Sequence, residues 1–349
     1  MAKRPALTYA SAGVDRGAIA ASLRALLASV HYRPPASHGR PVGRAGHYAG
    51  LMRVGREVIA ATTDTVGTKV LLAAEVGAWA EVGEDMVAIN VNDLASVGAR
   101  PFGLVDTVSC AKPDPAVFAA IGRGLERGLR AGRCALLGGE TAIVPDIVAG
   151  YDLGATALGF FPGSRKPVTG ERIRPGDRII GIPSTGLHSN GYTLVRKLLA
   201  DAPVDLTRPR AGGRGPVGRE LLRATRSYVP ASEALAEAAS THGFAHISGG
   251  GVRNLVRLHP RVAYTLDEWP EPPSLFPWLA SLGPVTDEEM FQTFNMGVGF
   301  VAIVAPGSFD RALDLLKAAG VRGAAPVGEV HRGSGVRVPA WHLEYRGYA

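Results

Sequence analysis

The chain has 349 residues, 46% of them hydrophobic and 20% charged, which is the composition of a packed globular protein and suggests two domains. Its 38 basic and 31 acidic residues give a formal net charge of +7, yet the basic residues are spread out rather than clustered. This pattern favours small anionic ligands over nucleic acid, and no apolar run is long enough to cross a membrane as a helix.

The chain contains two cysteines, Cys110 and Cys134, which are too few for a disulfide framework in a chain of this length. Neither lies in the Cys/His spacing of a zinc site. The first residues include basic side chains but lack the apolar segment of a signal peptide. Reduced, buried thiols are therefore expected, and they predict a cytoplasmic protein.

The first half of the chain alternates between helical and strand patterns. Apolar residues recur at helical spacing in 18–30, and a long irregular stretch follows at 31–50. The later patterns predict a strand over 58–63, a helix over 84–98, a strand over 102–108, a helix over about 116–131 capped by Asp114 or a neighbour, a short strand over 134–137 and a strand over 152–161. This order predicts an α+β domain whose sheet is covered by helices on one face.

A stretch rich in Gly, Pro, Lys and Arg at 162–177 is typical of a domain junction. We therefore expect an N-terminal domain over 1–165 and a C-terminal, sandwich-like α/β domain over 170–349. The patterns of the second half predict a strand over 178–182, a helix over 192–199, a surface loop over 202–218, helices over 231–241 and 252–258, a strand over 297–304, a helix over 309–319 and closing strands.

Three acidic residues of the first half stand beside Gly, Thr or Asn. Asp64 follows a strand, Asp93 lies with a neighbouring Asn in the unfavourable middle of a helix, and Glu140 follows Gly138-Gly139, where we expect a sharp turn. Converging carboxylates would hold Mg²⁺ against nucleotide phosphates, because this cation prefers oxygen ligands. Unrelated caps and surface acids are the alternative. Lys69 would offset phosphate charge, or else be a solvated lysine.

Two glycine-flanked loops precede predicted helices in the second half. One runs from Gly186 to Gly191 and carries His188, and the other runs from Ser248 to Gly251 directly after His246 and Ile247. Backbone N–H groups at the start of a helix bind anions, so the two loops suggest a phosphorylated substrate. Ordinary helix caps with tight turns are the alternative, with both histidines as hydrogen-bonded structural residues.

The chain resembles the phosphoribosylformylglycinamidine cyclo-ligase family, the aminoimidazole ribonucleotide synthetases of purine biosynthesis, over nearly its whole length. The segments that carry the resemblance are 9–15, 64–69, 91–94, 138–141, 186–192, 224–226, 246–251 and 293–299. The resemblance implies a homodimer that pairs through its N-terminal sheets and binds ATP with Mg²⁺ near that interface. In the family's reaction, the γ-phosphate of ATP activates the formyl oxygen of the ribonucleotide substrate, whose own nitrogen then attacks that carbon and closes the imidazole ring.

The family's functional positions carry over residue by residue. The resemblance implies metal contacts from Asp64, Asp93 and Glu140; cofactor contacts from the same three residues and from Gly67, Thr68, Lys69, Asn92, Gly138, Gly139 and Thr141; and substrate contacts from His188, Ser189, Asn190, His246, Gly249, Gly250 and Gly251. Of these, Asp93, His188 and Lys69 would be the catalytic residues.

The chain also departs from the family pattern. Thr65 replaces a glycine that the family usually has, and the glycine-rich loop at 43–50 is more basic and bulkier. Two alternatives remain: another ATP-using phosphotransferase of the superfamily, such as thiamine-monophosphate kinase or selenophosphate synthetase, and a catalytically silent nucleotide-binding protein. The His-Ser-Asn-Gly-Tyr segment at 188–192 argues against the kinase, and the N-terminus lacks the reactive Cys that the synthetase needs.

Overall fold

A computed structural model describes residues 6–32, 34–43, 46–163, 165–238 and 240–348. These residues form two mixed β-sheets, one in each half of the chain, with helices packed on them. The two-domain α+β architecture predicted from the sequence is confirmed. Within the described ranges, no helix is both long and apolar enough to span a membrane.

The N-terminal half begins with a helix and then alternates strands with three further helices. Its helices are α1 (Arg16–Ala28), α2 (Lys69–Val76), α3 (Trp79–Ala95) and α4 (Pro115–Gly132), and its strands are β1 (Arg40–Val42), β2 (Gly50–Val54), β3 (Glu57–Thr65), β4 (Arg100–Cys110), β5 (Ala135–Ile143) and β6 (Tyr151–Phe160). The predicted helices at 18–30, 84–98 and 116–131 are confirmed as α1, α3 and α4. As predicted, the Asp114 carboxylate caps α4 by accepting from the N–H of Ala116.

The N-terminal sheet has the strand order β1-β2-β3-β6-β4-β5 and is covered on one face by α3, with α4 packed on α3. Burial alternates along β6, where Leu153, Ala155 and Ala157 face the helix. The close approach of α3 and α4 requires Gly124, because a Cβ there would overlap the carbonyl oxygen of Ala80. This packing buries most of α3 and fixes the position of its polar side chains.

The opposite face of the N-terminal sheet carries exposed apolar side chains. Val105 of β4 points to this face, and the edge strand β5 adds Leu137; both residues are exposed. Sheet edges and contiguous apolar surface are the features of an interaction surface. The open face and its edge are therefore available for contact with another molecule.

The sharp turn predicted at Gly138-Gly139 is wrong, because β5 continues through both glycines to Ile143. The strand pairs in parallel with β4, and the pairing shifts by one residue between Leu136 and Gly138. A Cβ at Gly139 would overlap the carboxylate of Asp106 on the neighbouring strand. The glycine pair thus serves a bulge and a close approach inside the sheet.

The C-terminal half forms the second sheet and the remaining helices. Its helices are α5 (Tyr192–Asp201), α6 (Val217–Leu221), α7 (Val229–Ala236), α8 (Leu275–Ser281), α9 (Asp287–Thr293) and α10 (Phe309–Ala318), and its strands are β7 (Arg178–Pro183), β8 (Thr241–His246), β9 (Val262–Thr265), β10 (Val298–Val304), β11 (Ala325–Arg332), β12 (Gly335–Val338) and β13 (Leu343–Tyr345). The strand order is β13-β12-β9-β11-β7-β10-β8, and β10 is buried along its whole length.

Three predictions for the second half need correction. The helix predicted over 231–241 ends at Ala236, and Thr241 begins the buried strand β8. The helix predicted over 252–258 is a 3₁₀ helix, Gly251–Arg257, because the glycine turn leads into i→i+3 bonding. The loop predicted over 202–218 is interrupted by the start of α6 at Val217.

Candidate active site

Asp93 and His246 form a hydrogen-bonded pair that joins the two halves of the chain. Asp93 lies on α3 and His246 ends β8, and Nδ1 of the imidazole is 3.0 Å from Oδ1 of the carboxylate. Because a carboxylate only accepts, we assign the proton to Nδ1, which leaves the lone pair on Nε2. Nε2 is buried and has no hydrogen-bond partner among the described residues. The pair therefore has the composition of a base that is oriented by an acid.

His188 lies beside this pair, in the loop between β7 and α5. Its ring centre is 6.4 Å from that of His246 and 5.9 Å from that of Tyr228. Burial, assisted by the nearby His246, Lys69 and Arg226, holds the pKa of His188 well below its usual range. The imidazole is thus neutral at physiological pH and can exchange hydrogen bonds without carrying charge.

Two residues that the sequence analysis did not single out shape the same pocket. The N–H of Tyr228 donates to the Asn92 side chain at 2.7 Å, and its hydroxyl donates to the carbonyl of Pro183 at 3.0 Å. A Cβ at Gly299 would overlap both the Tyr228 hydroxyl and the ring of His188. Gly299 lies in segment 293–299, which resembles the family, so the sequence offered a reason to include it in the site. No sequence feature pointed to Tyr228.

Asn92 explains the unfavourable Asn-Asp pair in the middle of α3. Its amide donates to the carbonyl of Arg226 at 2.9 Å and accepts from the N–H of Tyr228, and the side chain is fully buried. These bonds satisfy backbone groups of the C-terminal half. They do not bring Asn92 to the surface where a cofactor contact was expected.

Asp64 stands at the end of β3, close to Asp93. Its Oδ1 accepts from the N–H of Thr65 at 2.7 Å. Desolvation by the surrounding protein and the nearby Asp93 carboxylate raise the pKa of Asp64 to about 6. Asp64 is nevertheless exposed at the end of its strand, so a ligand can reach it. A carboxylate destabilised by a second one marks a place where a cation would be favourable.

Glu140 does not join these two carboxylates within one chain. Strands β6 and β4 separate its strand from that of Asp64, which places the two residues roughly 14 Å apart at about 4.8 Å per strand. Asp64 is aligned across the sheet with Asp106, whereas Glu140 is aligned with the next residue, Thr107. Because successive residues of a strand point to opposite faces, Glu140 faces the open side of the sheet. Among the described residues, no three potential ligands of this kind form a metal-binding group.

The other residues expected to contact the cofactor lie at the ends or edge of the N-terminal sheet. Gly67 has a φ of 66° in the turn between β3 and α2, a conformation that favours glycine. The hydroxyl of the next residue, Thr68, lies 3.1 Å from that of Thr193 in the C-terminal half. Thr141 is exposed on β5 beside the glycine pair described above.

Lys69 is fully buried, which is at odds with the expected phosphate contact. Its ammonium lies 2.6 Å from the carboxylate of Asp85 and donates to the carbonyls of His188 and Arg223, at 2.8 and 3.1 Å. Burial lowers the pKa of Lys69, and Asp85 opposes that effect. All three N–H donors of the ammonium have partners, so none is left for a phosphate.

The two glycine loops meet at one edge of the pocket. Asn190 of the first loop approaches the second so closely that a Cβ at Gly249 would lie 2.7 Å from its Oδ1. Gly250 and Gly251 have φ values of 157° and 54°. The first loop leads into the ten-residue α5, whereas the second leads only into the 3₁₀ helix. Ser189 is tied to the hydroxyl of Thr225 at 3.1 Å.

The glycine-rich loop of the first half closes over this edge. Tyr48 is buried, and its hydroxyl donates to the carbonyl of His246 at 3.1 Å. The guanidinium of Arg257 lies 4.2 Å from the centre of the Tyr48 ring. Arg44 and Ala45, two of the residues that make this loop unusual, lie outside the described residues. The only sequence feature that could have pointed to Tyr48 as a site residue is its position as an aromatic residue in a stretch rich in Gly, Arg and His.

The chain matches both domain descriptions of one protein family. Residues 46–161 match the AIR synthase related protein N-terminal domain, and residues 174–340 match the corresponding C-terminal domain. The phosphoribosylformylglycinamidine cyclo-ligase of Methanothermobacter thermautotrophicus is 46% identical to this chain over 302 residues, which cover 85% of this chain and 87% of the relative.

Solved structures with lower identity share the fold. A thiamine-monophosphate kinase from Stenotrophomonas maltophilia K279a has a TM-score of 0.63 and 19% identity, and the match covers 95% of this chain and 98% of the kinase. The hydrogenase maturation protein HypE in complex with ATP has a TM-score of 0.58 and 16% identity, covering 93% of this chain and 91% of that protein. At these identities the likeness establishes the fold alone.

Proposed function

The chain belongs to the AIR synthase related family, with phosphoribosylformylglycinamidine cyclo-ligases as its near relatives, and from that premise we propose how its residues close the imidazole ring of formylglycinamidine ribonucleotide. The activity is that of an ATP-dependent ligase that forms a C–N bond in purine biosynthesis. The observation that carries the proposal is the Asp93–His246 pair, because it assembles an oriented base where the two halves meet.

The reaction needs an activated oxygen and a nitrogen that loses a proton. The formyl oxygen is a poor leaving group until the γ-phosphate of ATP is transferred to it, and phosphoryl transfer depends mainly on positioning and charge stabilisation. When the substrate nitrogen then attacks that carbon, the bond to the phosphorylated oxygen breaks and inorganic phosphate leaves. Nε2 of His246 is the group that would accept the proton of the nitrogen. Neutral His188, next to it, would hydrogen-bond the reacting atoms without repelling a cation.

The carboxylates of Asp64 and Asp93 would hold Mg²⁺. Both supply oxygen ligands, and desolvation together with the nearby Asp93 carboxylate raises the pKa of Asp64, so a cation would stabilise its charged form. When bound, the cation would neutralise charge on the transferring phosphoryl group. The ATP complex of a protein with the same fold supports nucleotide binding by this chain.

The remaining parts of the site would come from the C-terminal half and from a second copy of the chain. The glycine turn Gly249–Gly251, with Ser189 and Asn190, would hold the substrate's phosphate. Glu140 lies on the open sheet face, where a second copy of the chain would bind, so it would contribute to a site shared between the two copies. The two unpaired thiols, Cys110 and Cys134, support a cytoplasmic location. We propose that the protein binds a small ribonucleotide rather than nucleic acid or a membrane.

The direct test is to supply the purified protein with formylglycinamidine ribonucleotide, ATP and Mg²⁺ and to follow the formation of aminoimidazole ribonucleotide. ATP hydrolysis without the ring-closed product, or phosphorylation of thiamine monophosphate instead, would refute the proposal. The kinase alternative rests on likeness of fold alone, whereas the cyclo-ligase activity is also that of a relative 46% identical along most of the chain.

We expect the protein to be a homodimer in solution. The open face of the N-terminal sheet exposes Val105, so a Val105→Asp variant should be monomeric because it places charge on the interface. Light scattering at micromolar concentration measures the mass of each species. Leu71→Asp, a change at an exposed residue of α2, is the matched control and should remain dimeric. A wild-type monomer with full activity would contradict the expectation.

A Gly250→Val variant should raise KM for the ribonucleotide about tenfold and leave ATP affinity nearly unchanged. A Cβ at this position would lie 2.9 Å from the ring of Tyr348 and 3.2 Å from the amide of Asn254, so the turn would deform. Steady-state kinetics and calorimetric ATP binding would measure both effects. Gly307→Val has open space around its Cβ and serves as the control. Loss of ATP affinity with an unchanged ribonucleotide KM would reverse the ligand assignment.

A further inference from the structure

The buried ammonium of Lys69 connects the N-terminal half to the loop that carries His188. The carboxylate of Asp85 on α3 is its ion-pair partner within its own half, and both side chains have no exposed surface. The other two contacts, to the carbonyls of His188 and Arg223, are to backbone groups of the C-terminal half. The ammonium thus binds the main chain of the pocket loop directly.

The residue held in this way has an uncommon backbone conformation. His188 has a φ of 62°, in the left-handed region that residues other than glycine rarely adopt. A conformation of this kind persists only where surrounding contacts impose it. The bond from Lys69 to the His188 carbonyl is such a contact, and it fixes the peptide from which the imidazole projects toward His246 and Tyr228.

The same ion pair also restrains Ser189, the next residue of the loop, through Thr225. Asp85 Oδ1 accepts from the N–H and the hydroxyl of Thr225, at 2.8 and 2.6 Å. The Thr225 hydroxyl in turn lies 3.1 Å from that of Ser189. One carboxylate and one ammonium therefore restrain two consecutive residues of the loop.

A buried ion pair is a poor source of net stability, because desolvation offsets much of its Coulombic attraction. An apolar pair would fill the same volume but could not hold the carbonyls of His188 and Arg223. Building on the proposed cyclo-ligase activity, we propose that Lys69 is a positioning residue that sets the conformation of His188 in the pocket.

The experiment compares Lys69→Met alone, and Lys69→Met with Asp85→Asn, in the wild-type and His188→Ala backgrounds. The double variant removes both charges and retains an acceptor for Thr225, so it guards against misfolding of a chain with an unpaired buried carboxylate. Arg100→Met removes an ion pair with Glu233 that also joins the two halves but lies away from His188, and it is the matched control.

In the wild-type background, the Lys69 variants should lower kcat about tenfold or more and leave KM for ATP unchanged. In the His188→Ala background they should have almost no further effect, because Lys69 acts through His188. Equal losses in both backgrounds, or a loss of ATP affinity with retained kcat, would overturn the proposal.

Hydrogen exchange gives a readout that does not depend on the activity. Amides of residues 184–192 should exchange faster in both Lys69 variants than in the wild type and the Arg100→Met control. Unchanged exchange in this segment would overturn the positioning proposal. Failure of the wild-type protein to form the ring-closed product, with faster exchange in the variants, would instead count against the proposed function.

Discussion

Replacing Asp93 by Asn is expected to lower turnover by about 100-fold or more at saturating substrate. The neutral amide removes a charge that would hold Mg²⁺ beside Asp64. The amide can also donate to Nδ1 of His246 or accept from it. It therefore no longer holds the proton on Nδ1, and the lone pair is no longer fixed on Nε2. Steady-state kinetics at saturating Mg²⁺ would measure the loss.

Asp152→Asn is the matched control for this change, because Asp152 is an exposed acid on β6 of the same half and should leave turnover unchanged. A double variant that adds His246→Gln tests the pair itself. If the two residues act as a unit, the second change should add little to the first. Turnover of Asp93→Asn close to that of the wild type would refute both assignments of Asp93.

The sequence predicted elements well where local signals agreed. The cap at Asp114 and the apolar spacing after it located α4 within one or two residues. The strand predicted over 134–137 shows the limit, because two glycines read locally as a turn. The actual requirement at Gly139, close approach to Asp106 on the neighbouring strand, is a tertiary contact. No pattern along the chain carries that information.

The site was predictable as a set of residues but not as an arrangement. Asp93 and His246 were both candidates, yet they are 153 positions apart and no spacing rule pairs them. The family resemblance predicts a phosphate contact for Lys69, and a solvated lysine is the alternative. Its partner Asp85 carried no motif, and so the buried ion pair could not be anticipated.

The Asn-Asp pair in the middle of α3 shows that a local conflict can indicate function. Both side chains are unfavourable in a helix interior, and both are bound to the C-terminal half. Asn92 secures the segment that carries Tyr228, while Asp93 orients His246 in the same pocket. Helix α3 thus fixes the position of the C-terminal half through Asn92 and provides an acidic side chain to the site through Asp93.

Replacing Glu140 by Gln is expected to lower turnover by about 100-fold, and the loss should be recoverable by a second chain. Glu140 faces the open side of its sheet, roughly 14 Å from its own Asp64 by strand spacing. If it completes the site of a partner, a dimer of one Asp93→Asn subunit and one Glu140→Gln subunit contains one site with both changes and one intact site. Heterodimers purified through two different tags should therefore show about half of the wild-type activity.

The matched control reverses the arrangement of the same two substitutions. A dimer of a wild-type subunit and a subunit that carries both changes has one defect in each shared site, so it should be nearly inactive. If each site were built from a single chain, the results would exchange: this control would keep about half of the activity and the first heterodimer would have almost none. That exchange would show that Glu140 acts within its own chain, against the geometry of β5, and would remove the reason for placing the site at a shared interface.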